Sequence, residues 1–339
     1  STLKESSAAS DVYKRQDYET LSESISPKLK ELGLCICKMQ AGLGTSVKRH
    51  DLLERYSNRK SLGSKGTDLF INYKEKMISI AEVQLLKAQE RELEGIFKYI
   101  SFLNLLNSET EEAVQDIWNN IHISGKKSYG EIFSTDTLRR DSAIHQLMMP
   151  TLNTKNEVTF DRVAPAGHAY LGFYDILKTF RETSVPGELM VIGNGEDLKS
   201  TPDNKILSWV AEKEIPLVMI TTTKLEKDKK GGQIAIVKGE RPYIAIVEKA
   251  QSEKANQLEY FETLGLRDGD SRSLFNTNIV VINKKALKEL FNKYLNLSES
   301  EFIKIISPDL IKNTKSQDGE DFIQLEGAIG STILNLDKY

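Results

Sequence analysis

Apolar positions along this chain fall into two kinds of segment that take turns. Short runs of strand length stand at Leu34–Met39, Lys98–Asn107, Glu188–Ile192, Ile215–Thr221, Phe275–Ile282 and Asp321–Leu325. Between them lie segments with helical spacing. Leu21, Ile25, Leu29 and Leu32 predict a short helix that Gly33 stops, with Pro27 inside it. Ser108-Glu109-Thr110-Glu111 has the form of a capping box opening a helix to about Asn119. Thr201 is placed to cap a helix with Pro202 at its first position, running to about Lys213. Further helices are predicted over Leu171–Phe180, Lys284–Tyr294 and Ala328–Leu336. Gln233–Val237 and Tyr243–Val247 read as a hairpin around Lys238-Gly239-Glu240.

Strands alternating with helices predict an α/β fold, with a mixed, mostly parallel central sheet and helices on both faces. Ligands of such sheets bind beyond the carboxyl ends of the strands. The loops after Met39, Asn107, Ile192 and Thr221 are therefore where chemistry is expected.

Composition narrows the classes. The chain has 339 residues, 46 basic and 49 acidic, for a formal charge of −3. That balance argues against a nucleic-acid protein working through a broad basic field. No apolar run approaches the ~18–20 residues of a membrane helix, and the first residues lack a secretory signal, so a cytoplasmic protein is expected. Residues 1–16 are polar and patternless and read as a disordered or non-native tail, and 17–339 are enough for one large domain or two small ones. A chain that starts at Ser1 and stops three residues past an apolar helical run is consistent with a fragment at both ends. Cys35 and Cys37 share a strand face and read as core. The four histidines form no zinc spacing, and the Gly-x-Ser-x-Gly elbow of serine hydrolases is missing.

Candidate chemistry sits in the predicted loops. Gly42 and Gly44, in Ala41–Ser46, let backbone amides approach a phosphate. Val47 stands where a dinucleotide fingerprint needs its third glycine, so a dehydrogenase fits poorly. Lys65 lies between Gly63 and Gly66, in reach of a polyphosphate or simply solvated. Gly167-His168 opens a helical run, as an anion or sugar site or as an ordinary surface turn. Glu196 and Asp197 follow a strand and suit a magnesium ion bridging to phosphates, or a polar turn. Asn276 and Asn278, two apart on a strand, are expected to share a face, where their amides could bond sugar hydroxyls.

The order of these signals resembles that of the UTP–glucose-1-phosphate uridylyltransferase family, from about Leu34 to about Leu336. The family's opening Leu-Ala-Gly-Gly-Leu-Gly-Thr loop is matched by Met39-Gln40-Ala41-Gly42-Leu43-Gly44-Thr45, and its lysine by Ser64-Lys65-Gly66. Asn107-Ser108, Gln146 before Pro150, Pro165-Ala166-Gly167-His168-Ala169 and Asn194-Gly195-Glu196-Asp197-Leu198 follow in the family's order. So do Asp203–Leu207, Lys230-Gly231-Gly232, Val247-Glu248, an unaltered Phe275-Asn276-Thr277-Asn278 and an unaltered Gln324-Leu325-Glu326.

The resemblance implies a Rossmann-like nucleotide-diphospho-sugar transferase (GT-A-like) fold and one nucleotidyltransferase domain, without the family's C-terminal β-helix domain. It implies UTP and a hexose 1-phosphate as partners and Mg2+ as cofactor. Ala41, Gly42, Leu43 and Gly44 would hold the UTP phosphates, with Lys65 adding charge; Gln146 and Gly167 would read uracil. His168, Asn194, Gly232, Glu248, Asn276 and Asn278 would surround the sugar phosphate, and Glu196 or Asp197 would hold the metal. The family's Asn-Pro-Lys is replaced by Ser307-Pro308-Asp309, so Lys312 or Lys315 is expected to supply the missing cation. Gly167-His168 favours UDP-glucose over UDP-N-acetylhexosamine as product, the alternative within the same fold. Asp309 in a lysine's place keeps a nucleotide-binding homologue without catalysis open as a third reading.

Overall fold

The structure, a computed structural model, describes residues 16–42, 64–73, 75–119, 136–140, 143–168, 177–178, 181, 187–199, 201–223, 232–237, 243–247, 255–257, 259, 274–294, 296–317 and 319–337. In chain order, the first half contains β1 (Gly33–Met39), α1 (Lys65–Asp68), β2 (Phe70–Tyr73), β3 (Lys76–Ser79), α2 (Ile80–Leu93), β4 (Tyr99–Leu106), α3 (Glu111–Asn119), β5 (Leu138–Arg140), β6 (Ile144–His145), β7 (Met148–Leu152) and β8 (Val158–Pro165). The second contains β9 (Leu189–Asn194), α4 (Asn204–Glu212), β10 (Leu217–Thr223), β11 (Gln233–Val237), β12 (Tyr243–Val247), β13 (Leu274–Asn283), α5 (Lys284–Tyr294), α6 (Glu299–Ile306), β14 (Leu310–Gln317), β15 (Glu320–Gly327) and α7 (Ile329–Asp337).

A nine-stranded mixed sheet runs β12-β11-β13-β9-β1-β4-β5, with β10 on β13 and β6 on β4. Its centre is parallel: β1 pairs with β4 and with β9. From β13 outward the pairings are antiparallel. All seven residues of β1 are buried because both sheet faces are covered. On one face Leu34, Ile36, Phe102 and Val191 pack with Leu85 of α2, Val114 of α3 and Leu207 of α4. On the other, Cys35, Cys37, Met190 and Val280 pack with Leu287 of α5, Phe302 of α6 and Ile329 of α7. A second, antiparallel sheet of four strands runs β14-β15-β7-β8.

Several elements depart from the sequence expectation. Residues 17–33 form two 3-10 turns, Tyr18–Thr20 and Pro27–Glu31, rather than one helix. Pro27 cannot continue a helix, so it starts the second turn, whose Ser26 cap accepts from Lys28 N. Gly33 begins β1 instead of ending a helix. α3 is introduced by Asn107 and Thr110, not by a Ser108–Glu111 box: Asn107 Oδ1 accepts from Glu109 N at 2.9 Å and Thr110 N at 3.0 Å. The cap of α4 is Asp203, not Thr201, with Ile206 N donating to its Oδ1 at 3.1 Å. The predicted hairpin strands and the Lys284–Tyr294 helix form with the expected bounds. Most of Leu171–Phe180 lies outside the described residues.

Candidate active site

The C-terminal ends of β1, β4 and β9 bring three polar loops together. Gln40, next after β1, donates its backbone N–H to Leu105 O at 2.9 Å, and Gly195 N donates to Met39 O at 3.1 Å. The Gln40 side chain then ties in a third segment, since Ser64 Oγ donates to its Oε1 at 2.5 Å. A Cβ on Gly66 would overlap the Gly195 carbonyl oxygen and the Gln40 amide. Ser64 caps the short α1 and so sets Lys65 at its first position. Lys65 Nζ lies 3.3 Å from Glu196 Oε1, with both side chains 36% exposed. Residues 131 apart in sequence are thus joined by an ion pair at the mouth of the sheet.

Beside this junction the β4 end holds a buried amide network. Asn107 Nδ2 donates to Ala41 O at 2.6 Å and to Gln146 Oε1 at 3.4 Å. Gln146 Nε2 donates to Gly167 O at 2.9 Å. Gly167 has φ +80°, and a Cβ there would meet the backbone of Gly327, with which it forms a parallel bridge. Gly327 N donates to Ala166 O at 2.8 Å and Gln324 Nε2 to Pro165 O at 2.6 Å, so β15 fastens the segment that carries His168. Burial pushes the His168 imidazole below its ordinary 6.5, and Glu196 and Glu326 pull the other way. Ala41 is buried; Gly42 is exposed, with open space where a Cβ would stand. Leu43 and Gly44 lie outside the described residues.

Across β9, Asn194 ends the strand, and Asn278 Nδ2 donates to its Oδ1 at 3.5 Å. The expectation that Asn276 and Asn278 share a strand face by alternation fails here. The β10–β13 register shifts between Ile220 and Thr221, which leaves Thr277 and Asn278 unpaired in a bulge. Asn278 takes φ +63°, and its N–H donates to Asn276 Oδ1 at 3.0 Å. The bulge re-aims Asn278 at Asn194, while Asn276 N donates to Gly232 O at 3.1 Å. Glu248 lies outside the described residues.

The adjacent carboxylates separate. Glu196 faces Lys65, whereas Asp197 Oδ1 accepts from Lys199 N at 2.8 Å and its charge acts on Lys38 behind the loop. Among the described residues no three His, Cys, Asp or Glu side chains form a ready-made metal cage. A single outward carboxylate such as Glu196 is the kind of ligand magnesium takes, since that ion keeps waters and uses one or two carboxylates.

Lys312 and Lys315 are not brought to the junction. Both are exposed on β14, and Lys312 Nζ donates to Asn156 Oδ1 in the β7–β8 turn at 2.7 Å. Asp309 donates its N–H to Ser331 Oγ at 2.9 Å. Sequence reasoning gave no role to Gln40, Ser64, Gln84 or Glu326. Gln40, Ser64 and Glu326 stand inside the matched motifs, Glu326 as the end of the unaltered Gln-Leu-Glu, where Asn313 Nδ2 holds it at 3.3 Å; Gln84 lies in none of them.

Comparison with known proteins bears on the family and the fold. The family model described as UTP–glucose-1-phosphate uridylyltransferase matches residues 14–339. A protein of that name from Encephalitozoon cuniculi is 28% identical over 296 residues, covering 84% of this chain and 54% of the relative. One from Saccharomyces cerevisiae is 30% identical over 154 residues, covering 44% of this chain and 27% of the relative. The chain thus spans about half the length, or less, of the curated relatives it matches. A solved UDP-glucose phosphorylase from Trypanosoma brucei superposes with TM-score 0.64 at 21% identity, covering 93% of this chain and 61% of that one. A Leishmania major UDP-glucose pyrophosphorylase mutant in complex with UDP-glucose gives TM-score 0.61 at 19% identity, covering 94% and 62%. At these identities the solved structures establish the nucleotidyltransferase fold.

Proposed function

The chain belongs to the UTP–glucose-1-phosphate uridylyltransferase family, and on that premise we propose that it joins UTP to glucose 1-phosphate, giving UDP-glucose and pyrophosphate. The observation that carries the reading is the Lys65–Glu196 pair, set at 3.3 Å where the loops after β1 and β9 meet. The neighbouring Gln146 and Asn194 clusters support it.

A phosphate oxygen of the sugar attacks the α-phosphorus of UTP; the new P–O bond forms as the bond to the β-phosphate breaks and pyrophosphate leaves. The attacking oxygen is already an anion, so no general base is required. The chain's task is to align two anions and offset their repulsion, and alignment of this kind is worth about 7–11 kcal/mol. Lys65 and the backbone after β1 face the phosphates. Gln146 has one N–H and one lone pair left after its bonds to Gly167 and Asn107, a donor–acceptor pair that fits the imide edge of uracil. His168, held neutral by burial, offers a hydrogen bond without a fixed charge, and Asn194, Asn276 and Asn278 offer amides to the sugar. Glu196 would hold magnesium, which when bound supplies further positive charge between the two anions. Lys65 carries the lysine role, with Lys312 bonded to Asn156 and Lys315 exposed on the same strand. Two cysteines not joined in a disulfide support a cytoplasmic setting.

Incubation with UTP, magnesium and each sugar phosphate in turn tests the reading through pyrophosphate release. Release with glucose 1-phosphate is expected. Release only with N-acetylhexosamine 1-phosphate moves the assignment to the sister reaction. No release with any sugar leaves a nucleotide-binding protein without catalysis.

A further inference from the structure

Lys38 is 2% exposed, a long charged side chain buried as deeply as the apolar core around it. It is the penultimate residue of β1, and by strand alternation it points to the face that carries Leu34 and Ile36, under α2 and α4. Its strand partners are Asn104 and Gly193, and the glycine leaves room beside the lysine stem. Lys38 Nζ donates to Thr201 Oγ1 at 3.3 Å. Burial lowers its pKa to about 8, and the charge of Asp197 resists that shift. A lysine in a covered sheet is costly unless a carboxylate compensates it. No part of the proposed reaction uses this one.

The bonds around it explain why it is there. Residues 194–199 and Thr201 are fastened from beneath. Gln84 Nε2 donates to Gly195 O at 2.9 Å and to Asp197 O at 3.1 Å, and Lys87 Nζ to Leu198 O at 2.6 Å. Lys38 adds the charged anchor, acting on the Asp197 side chain and on Thr201. The opposite side of the same turn carries Asn194 and Glu196, which face Asn278 and Lys65.

We propose that Lys38 is a positioning residue: by drawing Asp197 and Thr201 beneath the turn, it directs Glu196 and Asn194 outward into the site. The role rests on the proposed uridylyl transfer. With Asp197 held below, the residue before it points the other way. Without Lys38, the half-buried Asp197 carboxylate keeps its bond from Lys199 N but loses the cation that draws it inward, and the turn is free to shift.

Lys38→Met, Asp197→Asn and the double variant, compared with the parent chain in the pyrophosphate assay, test this. Met keeps the volume of the stem, and thermal unfolding checks each fold. Lys38→Met should lower kcat about 10- to 100-fold, the cost of displacing a site by ~1 Å. It should also raise KM for glucose 1-phosphate at least about threefold, which a mere loss of folded enzyme does not do. The double variant should be no slower than the slower single variant, because both changes break one contact. If Lys38→Met fails to fold, the double variant, which has no unpaired charge, is compared with Asp197→Asn alone, and equal kcat is expected. Losses that multiply, a double variant slower than Asp197→Asn in that second comparison, or a Lys38→Met enzyme with parental kcat and KM overturn the positioning role. A parent chain that releases no pyrophosphate overturns the proposed reaction instead, and the role that depends on it.

Discussion

β1 in the large sheet is buried along all seven residues, whereas β8 in the small sheet leaves Val158, Phe160 and Val163 at 53%, 82% and 55% exposure. Both sheets deliver residues to one site. In the large sheet a polar group near the strand ends is costly to leave unmatched, because helices cover both faces. Gln40, Ser64, Asn107 and Lys38 are accordingly buried and bonded. The small sheet reaches the strand-end junction where β15 grips Pro165–Gly167, and elsewhere it carries apolar side chains facing outward. Placement at the site therefore comes from local bonding at the strand ends, not from the burial of the strands behind them.

The contrast can be broken first at Lys65. Lys65→Ala should lose at least about 10²-fold in turnover, some 2.7–4 kcal/mol of barrier. Folding stability should fall by less than ~1 kcal/mol, since the half-exposed pair with Glu196 is a weak fold contact. Turnover near that of the parent chain would remove Lys65 from the site. Next comes Gly66→Ala, whose Cβ has no space between Gly195 and Gln40. It should cost about 1–3 kcal/mol in urea unfolding; an unchanged midpoint shows that the three loops are not locked together.

A smaller effect separates the sheets by pH. Burial holds the folded-state pKa of His168 below 6.5. Between that value and 6.5 the unfolded chain binds a proton that the folded chain does not. The stability tied to neutral His168 is therefore full above pH 6.5 and lost as pH falls through its lowered folded value. His168→Asn should flatten this part of the decline, read as the difference in urea midpoint between pH 7 and pH 5.5. An identical decline in both proteins shows that His168 takes up its proton freely. Smallest of all, Phe160→Ser and Lys312→Ala on the small sheet should each stay within about 0.5 kcal/mol of the parent in stability and keep its turnover. A tenfold loss of turnover in Lys312→Ala would restore that lysine to the reaction.

Much of the large sheet was legible along the chain. β1, β4, β11, β12, β13 and α5 announce themselves as apolar runs or by helical spacing, because burial on both faces leaves a continuous signal. The small sheet was nearly invisible: Val158–Pro165 mixes exposed apolar and charged residues with no period, and only Asp321–Leu325 of its four strands was anticipated. Thr201 and Ser108 look like caps one by one, but Asp203 and Asn107 take the work, because a cap is chosen by which side chain the turn aims at the free amides. The Asn276 and Asn278 pair misled for a related reason, since a bulge breaks alternation and no residue type marks it.

By itself the sequence determined the class of fold and the family, for these depend on periodicity and on the order of motifs, both one-dimensional. It also named most of the polar residues that gather at the strand ends. Tertiary structure alone decided which of two adjacent carboxylates faces the site, that Lys312 belongs to a distant turn, and that a lysine lies buried under the sheet. Those outcomes depend on which side of a loop a side chain leaves from. That side is set by partners such as Gln84 and Thr201, brought near by the packing of helices on strands and not by closeness along the chain.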